Sequence, residues 1–523
     1  MKKIIRVLLL SFMLCTCSVA LIAQQPTFTK VFGDHFNPVQ GCGIVKTFDS
    51  NYMVVGSISR QALILKMDQG GNILWDKKIS FPGYFSAWLT RIIRTHDSCF
   101  AVVGNLNDND IVCMKITADG DTLWSRSINF GNDDYANSIF ETYDKGVLIA
   151  GTSYLNNVPP YSKMAIVKLD SVGNQEWSSL LTIGTNANEA ASVRQTFDSG
   201  CILIGTTQNS EFKGATTLVK LNSTGTGAWS KRIEYPFSSS AGLDVIATDS
   251  TLFCNTDVPG IGTALIKTDF SGNILWSKYG FGGGNGFSYR GILRPRFQCT
   301  ADNGFAFVSV GAEGSLVKLE PTGNLKWTKS LRLDVMDMTE SYDHGFMVIG
   351  NGPLIGVKLV GPLGYQLGIV KSDSQGNGVG CIEDGSDFSD TCVLVSIPIS
   401  VITSMAAGNV IAIHPFISDP SLSSFDGCID VTGGVDDCLT QQDGLVVFPS
   451  PVRNTFQIKI INRDKLTFKS LTINNIIGEK VFQSSCPQLL KSEIDLCQQP
   501  DGLYMIQVVF NEKTYSQKFL IRH

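Results

Sequence analysis

One recurring phrase constrains this chain more than any other feature: an apolar residue, Lys, a turn with Gly, and Trp nine residues after the Lys. It occurs at Leu65-Lys66…Trp75, Met114-Lys115…Trp124, Val167-Lys168…Trp177, Val219-Lys220…Trp229, Ile266-Lys267…Trp276 and Val317-Lys318…Trp327. Successive Trp residues are 49, 53, 52, 47 and 51 apart. A fixed internal spacing within a variable outer one means a rigid unit joined by loops of differing length. A second phrase lies upstream: Thr or Ser, one residue, Asp, then an apolar run. Its clear copies are Thr47-Phe48-Asp49, Thr95-His96-Asp97, Thr142-Tyr143-Asp144, Thr196-Phe197-Asp198 and Ser341-Tyr342-Asp343, and looser ones centre on Asp249 and Asp302, which makes seven.

Each unit holds four short β-branched runs, near 42–48, 52–58, 62–67 and 73–79 in the first, separated by turn residues such as Asp68-Gln69-Gly70-Gly71-Asn72. No stretch has a useful helical period. Four-stranded units repeated around an axis predict an all-β chain, a seven-bladed β-propeller. The seventh Lys phrase, at Val370-Lys371, has Gly380 where Trp is due. The missing outer strand stands at the other end of the chain. Phe28-Thr29-Lys30-Val31-Phe32-Gly33 matches Trp276-Ser277-Lys278-Tyr279-Gly280, with Phe28 in place of Trp. Residues 27–33, including Phe28 and Lys30, are therefore expected to pair with the strand around 366–372 and close the ring, removing two free sheet edges.

The rest of the chain frames this array. Lys2, Lys3 and Arg6 precede an apolar run from Val7 to Ala23, the pattern of a signal peptide, with cleavage after Ala23 or after Ala20. The run is short for a transmembrane anchor, and no other reaches the length one needs. A net charge of −5 without a basic cluster excludes nucleic acid as a partner. Twelve of the 14 Cys lie beyond the leader, and Cys381/Cys392, Cys428/Cys438 and Cys486/Cys497 form close couples suited to local disulfides, with connectivity open. The division expected is 1–23 signal peptide, 24–380 propeller, 381–440 disulfide-pinned β-rich connector and 441–523 a small C-terminal β-sandwich.

The repeat resembles that of large bacterial secreted β-propellers and, more distantly, quinoprotein-type repeats, in which the repeated Trp packs between blades. By that resemblance Trp75, Trp124, Trp177, Trp229, Trp276 and Trp327 are structural docking residues. From Gly444 the pattern changes to Val447-Phe448-Pro449-Ser450-Pro451, Ile477-Gly478-Glu479-Lys480 and Asp501-Gly502-Leu503-Tyr504. This resembles the type A C-terminal sorting domain of the type IX secretion system, with Ser450 where that family has Asn. The resemblance implies passage through the periplasm to the cell surface or beyond, the secretion machinery as a partner, and Pro449, Pro451, Gly478, Gly502 and Tyr504 as motif positions.

Residues suited to chemistry are sparse. There are five His, and Ser341-Asp343-His344 occupies the standard turn slot, with His344 aligned on Ser50, Ser98, Lys145 and Ser199. The repeated Asp residues are expected to cap turns. Lys66, Lys115, Lys168, Lys220, Lys267, Lys318 and Lys371 are expected near the outer half of each blade, stems packed and heads in water. Asn107-Asp108-Asn109-Asp110 and Asp384-Gly385-Ser386-Asp387 have the oxygens to chelate Ca²⁺, though turns explain them as well, and no other cofactor is indicated. Catalytic, cofactor and metal residues are therefore expected to be none. The function read from the residues is a secreted or cell-surface, non-catalytic binding or adhesion protein for a glycan or protein ligand. The alternative is a glycan lyase or hydrolase using Tyr84, Trp88, Arg91, Tyr161, Tyr289, Arg290 and Arg294 at the channel mouth.

Overall fold

Seven five-stranded antiparallel sheets make up residues 28–426 of the computed structural model. The described residues run from 26 to 521 apart from 34–37, 108–109, 156–158, 236–237, 249, 260–261, 282–295, 310–313, 332, 352–365, 379–381, 427–444 and short stretches between the later strands. The leader therefore lies outside the described residues. Four strands of each sheet are the repeat unit. Blade 1 is Val39–Lys46, Tyr52–Ile58, Gln61–Met67 and Ile73–Ser80, and blade 2 is Ala87–Arg94, Phe100–Leu106, Asp110–Ile116 and Thr122–Asn129. Blades 3, 4, 5 and 6 begin at Asp133, Asn188, Ala241 and Phe297, and blade 7 at Asp334. Second and third strands are nearly all buried, packing blade face on blade face with cores such as Met53, Ile64, Ile92 and Val102 between blades 1 and 2.

The ring closes through the chain's first strand. Phe28–Gly33 pairs with Leu367–Ser372 in the register Phe28↔Lys371 to Phe32↔Leu367, as the fourth strand of blade 7. Val31 and Phe32 are buried there.

The fifth strand of every sheet comes from the stretch expected as a connector. Ile382–Asp384 pairs with the outer strand of blade 6, and Asp390–Thr391, Val395–Ile399, Ile402–Met405, Asn409–Ala412 and Phe416–Ser418 follow on blades 5, 4, 3, 2 and 1. Ser423–Asp426 ends the series on the N-terminal strand itself. This belt passes the blades in reverse order and pairs with the outer edge of each, where unmatched N–H and C=O groups would otherwise invite another chain. The three cysteine couples lie outside the described residues. The described cysteines Cys42, Cys99, Cys113, Cys201, Cys254 and Cys299 are free thiols.

The chain divides into two compact units, the second beginning after residue 428. That unit has a three-stranded sheet of Leu445–Phe448, Thr455–Ile460 and Ile494–Asp495, and a four-stranded sheet built on Phe468–Asn475 and Gly502–Phe510. Leu471, Ile473, Ile506, Val508 and Phe510 form its core. Tyr504 is buried and its hydroxyl donates to Pro500 O at 2.8 Å. Gly502 opens the same strand, and Pro449, Pro451 and Gly478 lie outside the described residues.

Candidate functional site at the propeller axis

The repeated residues are consumed by the blades themselves. Each Trp lies against the Gly of the following blade's turn between strands 3 and 4. Trp75, Trp124, Trp177, Trp229, Trp276 and Trp327 meet Gly120, Gly173, Gly225, Gly272, Gly323 and Gly376, and Phe28 meets Gly71 to complete the circle. Those glycines have φ between 72° and 84°, and a Cβ at Gly120 would stand 2.6 Å from the Trp75 ring, so both conformation and contact require Gly. Two residues after the aromatic, a polar side chain crosses the same seam. Lys30 reaches Asn72 at 2.9 Å, Lys77 Asp121 at 2.8 Å, Arg126 Gly173 O at 2.8 Å, Ser179 Gly225 O at 3.2 Å, Lys231 Asn273 at 2.7 Å and Lys329 Asn377 at 3.1 Å, and Lys278 bonds Asn324.

The repeat lysines differ from expectation at their heads. Lys66, Lys115, Lys168, Lys220, Lys318 and Lys371 are buried, each paired with the turn Asp of its own blade: Asp49, Asp97, Asp144, Asp198, Asp302 and Asp343, at 2.7–3.0 Å. Lys267 stands 4.9 Å from the Phe253 ring centroid, and the turn Asp of its blade, Asp249, lies outside the described residues. Each Asp also takes the preceding Thr or Ser hydroxyl, as Asp97 does from Thr95 at 2.6 Å. The residue after it turns to positive φ, 63° at Ser50 and Ser98 and 64° at His344, so His344 is a turn residue. Burial works against ionisation of Asp49 and Asp97, but bonds from their Lys and Thr partners outweigh it and hold both near pKa 2. A lowered folded pKa stabilises above the unfolded value of about 4 and is lost as pH falls through the folded value. The melting temperature is thus expected to fall between pH 4 and pH 2, less steeply in Lys115→Met. A flat melting profile across that window would contradict the clamp.

The axis carries a different chemistry. Strands 1 and 3 of a blade run the same way, so the Thr-x-Asp turns and the Gly turns share one face of the disc, while inter-blade loops lie on the other. The innermost strand of six blades bulges at one register, after Gly41, Leu89, Ala136, Ala190, Gly242 and Val335. A bulge re-aims the side chain that follows. Four residues before each turn Thr or Ser, that position holds Gly43, Arg91, Ser138, Ser192, Asp244, Arg296 and Asp337. Arg296 of blade 6 reaches Ile44 O of blade 1 at 3.4 Å and Ile92 O of blade 2 at 3.1 Å, a span that crosses the axis.

Two carboxylates order these arginines. Asp337 accepts from Ile44 N at 3.1 Å and Met338 N at 2.9 Å, and faces Arg91 at 3.3 Å and Arg296 at 3.7 Å. Asp244 accepts from Ser192 Oγ at 2.5 Å, Arg194 at 2.9 Å, Val245 N at 2.9 Å and Phe297 N at 2.9 Å. Burial pulls the Arg194 pKa below its usual value, with Asp244 opposing. A cavity of about 230 Å³ opens among Arg91, Arg94, Arg194, Arg296, Asp244 and Phe140. On the same face the middle residue of the Thr-x-Asp turn is aromatic in blades 1, 3, 4 and 7 (Phe48, Tyr143, Phe197, Tyr342) and His96 in blade 2.

Of the residues considered for a channel-mouth enzyme, Arg91 alone among the described ones lines the cavity. Tyr84 donates to Asp110 at 2.7 Å, Tyr161 stacks on Phe212 at 6.4 Å, and Trp88 pairs within its own blade opposite Asn105. Tyr289, Arg290 and Arg294 lie outside the described residues. Asn107 and Asp110 are engaged within blade 2, by Phe85 N, Ser86 N, Tyr84 and Ser127, while Asp108, Asn109 and 385–389 are not described. Arg194, Arg296, Asp244 and Asp337 escaped the sequence reading, which followed what repeats. For Arg296, Asp244 and Asp337 the signal was where the repeat breaks, as charges in a slot otherwise Gly or Ser, and Arg194 stands two residues beyond the slot of its blade.

Fold and tail together define a secreted or cell-surface β-propeller protein. Residues 446–522 match the family described as the secretion system C-terminal sorting domain, which addresses the chain to the type IX secretion machinery. No curated protein matches the chain in sequence. Among solved structures it is similar to the WD40 β-propeller domain of Doa1 (9% identity, TM-score 0.43, 68% of this chain and 100% of that one). Others are a Bacteroides caccae protein of unknown function (10%, 0.34, 58% and 93%) and Drosophila Plexin A in complex with Semaphorin 1b (8%, 0.37, 66% and 87%). Among the described residues no helix is long and apolar enough to cross a membrane.

Proposed function

We propose that this is an exported binding protein that holds its ligand, without turning it over, at the axis on the face of the Thr-x-Asp turns. The observation that carries this is the state of the axial acids. Asp244 and Asp337 are 4% and 0% exposed and wholly engaged as acceptors, so the cavity offers guanidinium groups and the Phe140 ring rather than a proton donor or base. Burial lifts Asp134 and Asp257 to about 6, a range suited to acid–base work. Both are buried in the blade wall, and Asp134 accepts from Phe130 N at 2.6 Å. The test is a glycan array with a turnover assay on every hit. Retention of bound glycan with no new reducing ends or unsaturated products is expected, and release of either overturns the non-catalytic reading.

A further inference from the structure

We infer that the axial cavity seats one carboxylate- or sulfate-bearing sugar at the end of an acidic glycan, with the sugars behind it lying over the aromatic turns. This rests on the reading of the propeller as a binding protein and names its ligand class.

Charge comes first. Arg91, Arg94, Arg194 and Arg296 face two carboxylates, Asp244 and Asp337, so the cavity keeps an excess of positive charge. The acids are saturated, and Arg296 and much of Arg194 are engaged as well, whereas Arg91 keeps one donor unmade. A guanidinium has five N–H donors in a fork that fits a carboxylate or sulfate. Arg91 Nη1 is buried and, although 3.3 Å from Asp337, makes no hydrogen bond. A buried donor left unmade costs free energy that an entering anion would recover. Arg94 is exposed, lines the cavity and stands 3.9 Å from the Phe48 ring centroid, and a guanidinium stacked on a ring keeps its edge donors available.

Size comes next. About 230 Å³ lies below the ~300–1,000 Å³ of drug-sized pockets. The cavity therefore admits an end group, not a length of chain. The rim then decides between sugar and peptide. Tyr143 and Phe197 are 67% exposed and Phe48 41%, as rings at equivalent turn positions on the face where the cavity opens, with Phe197 set against Phe270 of the next blade. Backbone donors there are already used: His96 N by Glu141, Tyr143 N by Gln195 and Ala301 N by Glu340. A peptide backbone would find few partners on such a rim, whereas the C–H faces of sugar rings pack on aromatic faces.

The test is titration calorimetry on the whole exported chain. The probes are a hyaluronan tetrasaccharide, its carboxyl-reduced form, a sulfated chondroitin tetrasaccharide, a hexaglutamate peptide and sodium sulfate. At least one of the two acidic tetrasaccharides should bind, and removal of its acidic groups should weaken it about tenfold or more, the worth of one charge-assisted bond. Arg94→Gln, at an exposed site that leaves folding intact, should cost a similar factor. Tyr143→Ala should weaken the tetrasaccharide while leaving sulfate unchanged. Equal binding of the reduced form, an unaffected Arg94→Gln, preference for the peptide, or binding of none of the probes would each overturn the assignment. Binding with breakdown of the tetrasaccharide would leave the seat in place and defeat the non-catalytic reading instead.

Discussion

Removing residues 1–34 should convert a closed ring into an unstable and self-associating one. Phe28–Gly33 supplies the fourth strand of blade 7, buries Val31 and Phe32, and carries the Phe28 ring that docks on Gly71. Loss of those two core side chains alone is worth about 5–7 kcal/mol at ordinary core costs. In a domain of this size that lowers Tm by roughly 6–8 °C. Two edges also open, Leu367–Ser372 on one side and Ser423–Asp426 of the belt on the other. Exposed edges of that length recruit other chains. The variant should elute in larger species and melt early. Residues 26–33 reinserted directly after Asn377 should restore both properties, because Phe28 then follows Asn377 by three residues, as Trp75 follows Asn72. An unchanged Tm with a monomeric profile in the deletion would refute ring closure as a source of stability.

Phe28 was legible in the sequence because blade docking reads a side chain. The seam needs an aromatic against a Gly and a polar group two residues on, so the phrase survives even when the strand is hundreds of residues from its blade. The belt obeys no such demand. Its strands of two to five residues pair through backbone N–H and C=O groups, which nearly any residue supplies. Residues 382–426 therefore carry no repeated phrase, and reading them as a connector missed that they pair with every blade.

The lysines were misplaced for a related reason. Asp49 and Lys66 are 17 residues apart, Asp144 and Lys168 are 24, and Asp343 and Lys371 are 28. The hairpin between strands 2 and 3 varies in length, so no fixed spacing marks the pair. The axis hides more deeply still. Arg91, Arg194, Arg296, Asp244 and Asp337 come from different blades and meet only because the ring closes. An axial site is a property of the circle, and it is written in the places where single blades depart from their neighbours.

Lys371→Met should be the most damaging single substitution among the repeat lysines, while Lys66→Met should be mild. Both lysines are buried, but their partners differ. Asp49 is 50% exposed, so water can solvate it when Lys66 is gone. Asp343 is 1% exposed, and without Lys371 its charge stays in the interior with Ser341 and Gly345 as remaining donors. Breaking a buried pair from one side costs about 3–5 kcal/mol, against about 0–1 kcal/mol for an exposed one. Blade 7 is also where the ring closes, since Lys371 sits opposite Phe28 in the closing register. Chemical denaturation of the two variants should show a large drop in midpoint for Lys371→Met and little change for Lys66→Met. Adding Asp343→Asn to Lys371→Met should recover part of the loss, because the uncompensated charge goes with it. Equal midpoints for the two single variants would mean that burial of the partner does not set the strength of these clamps.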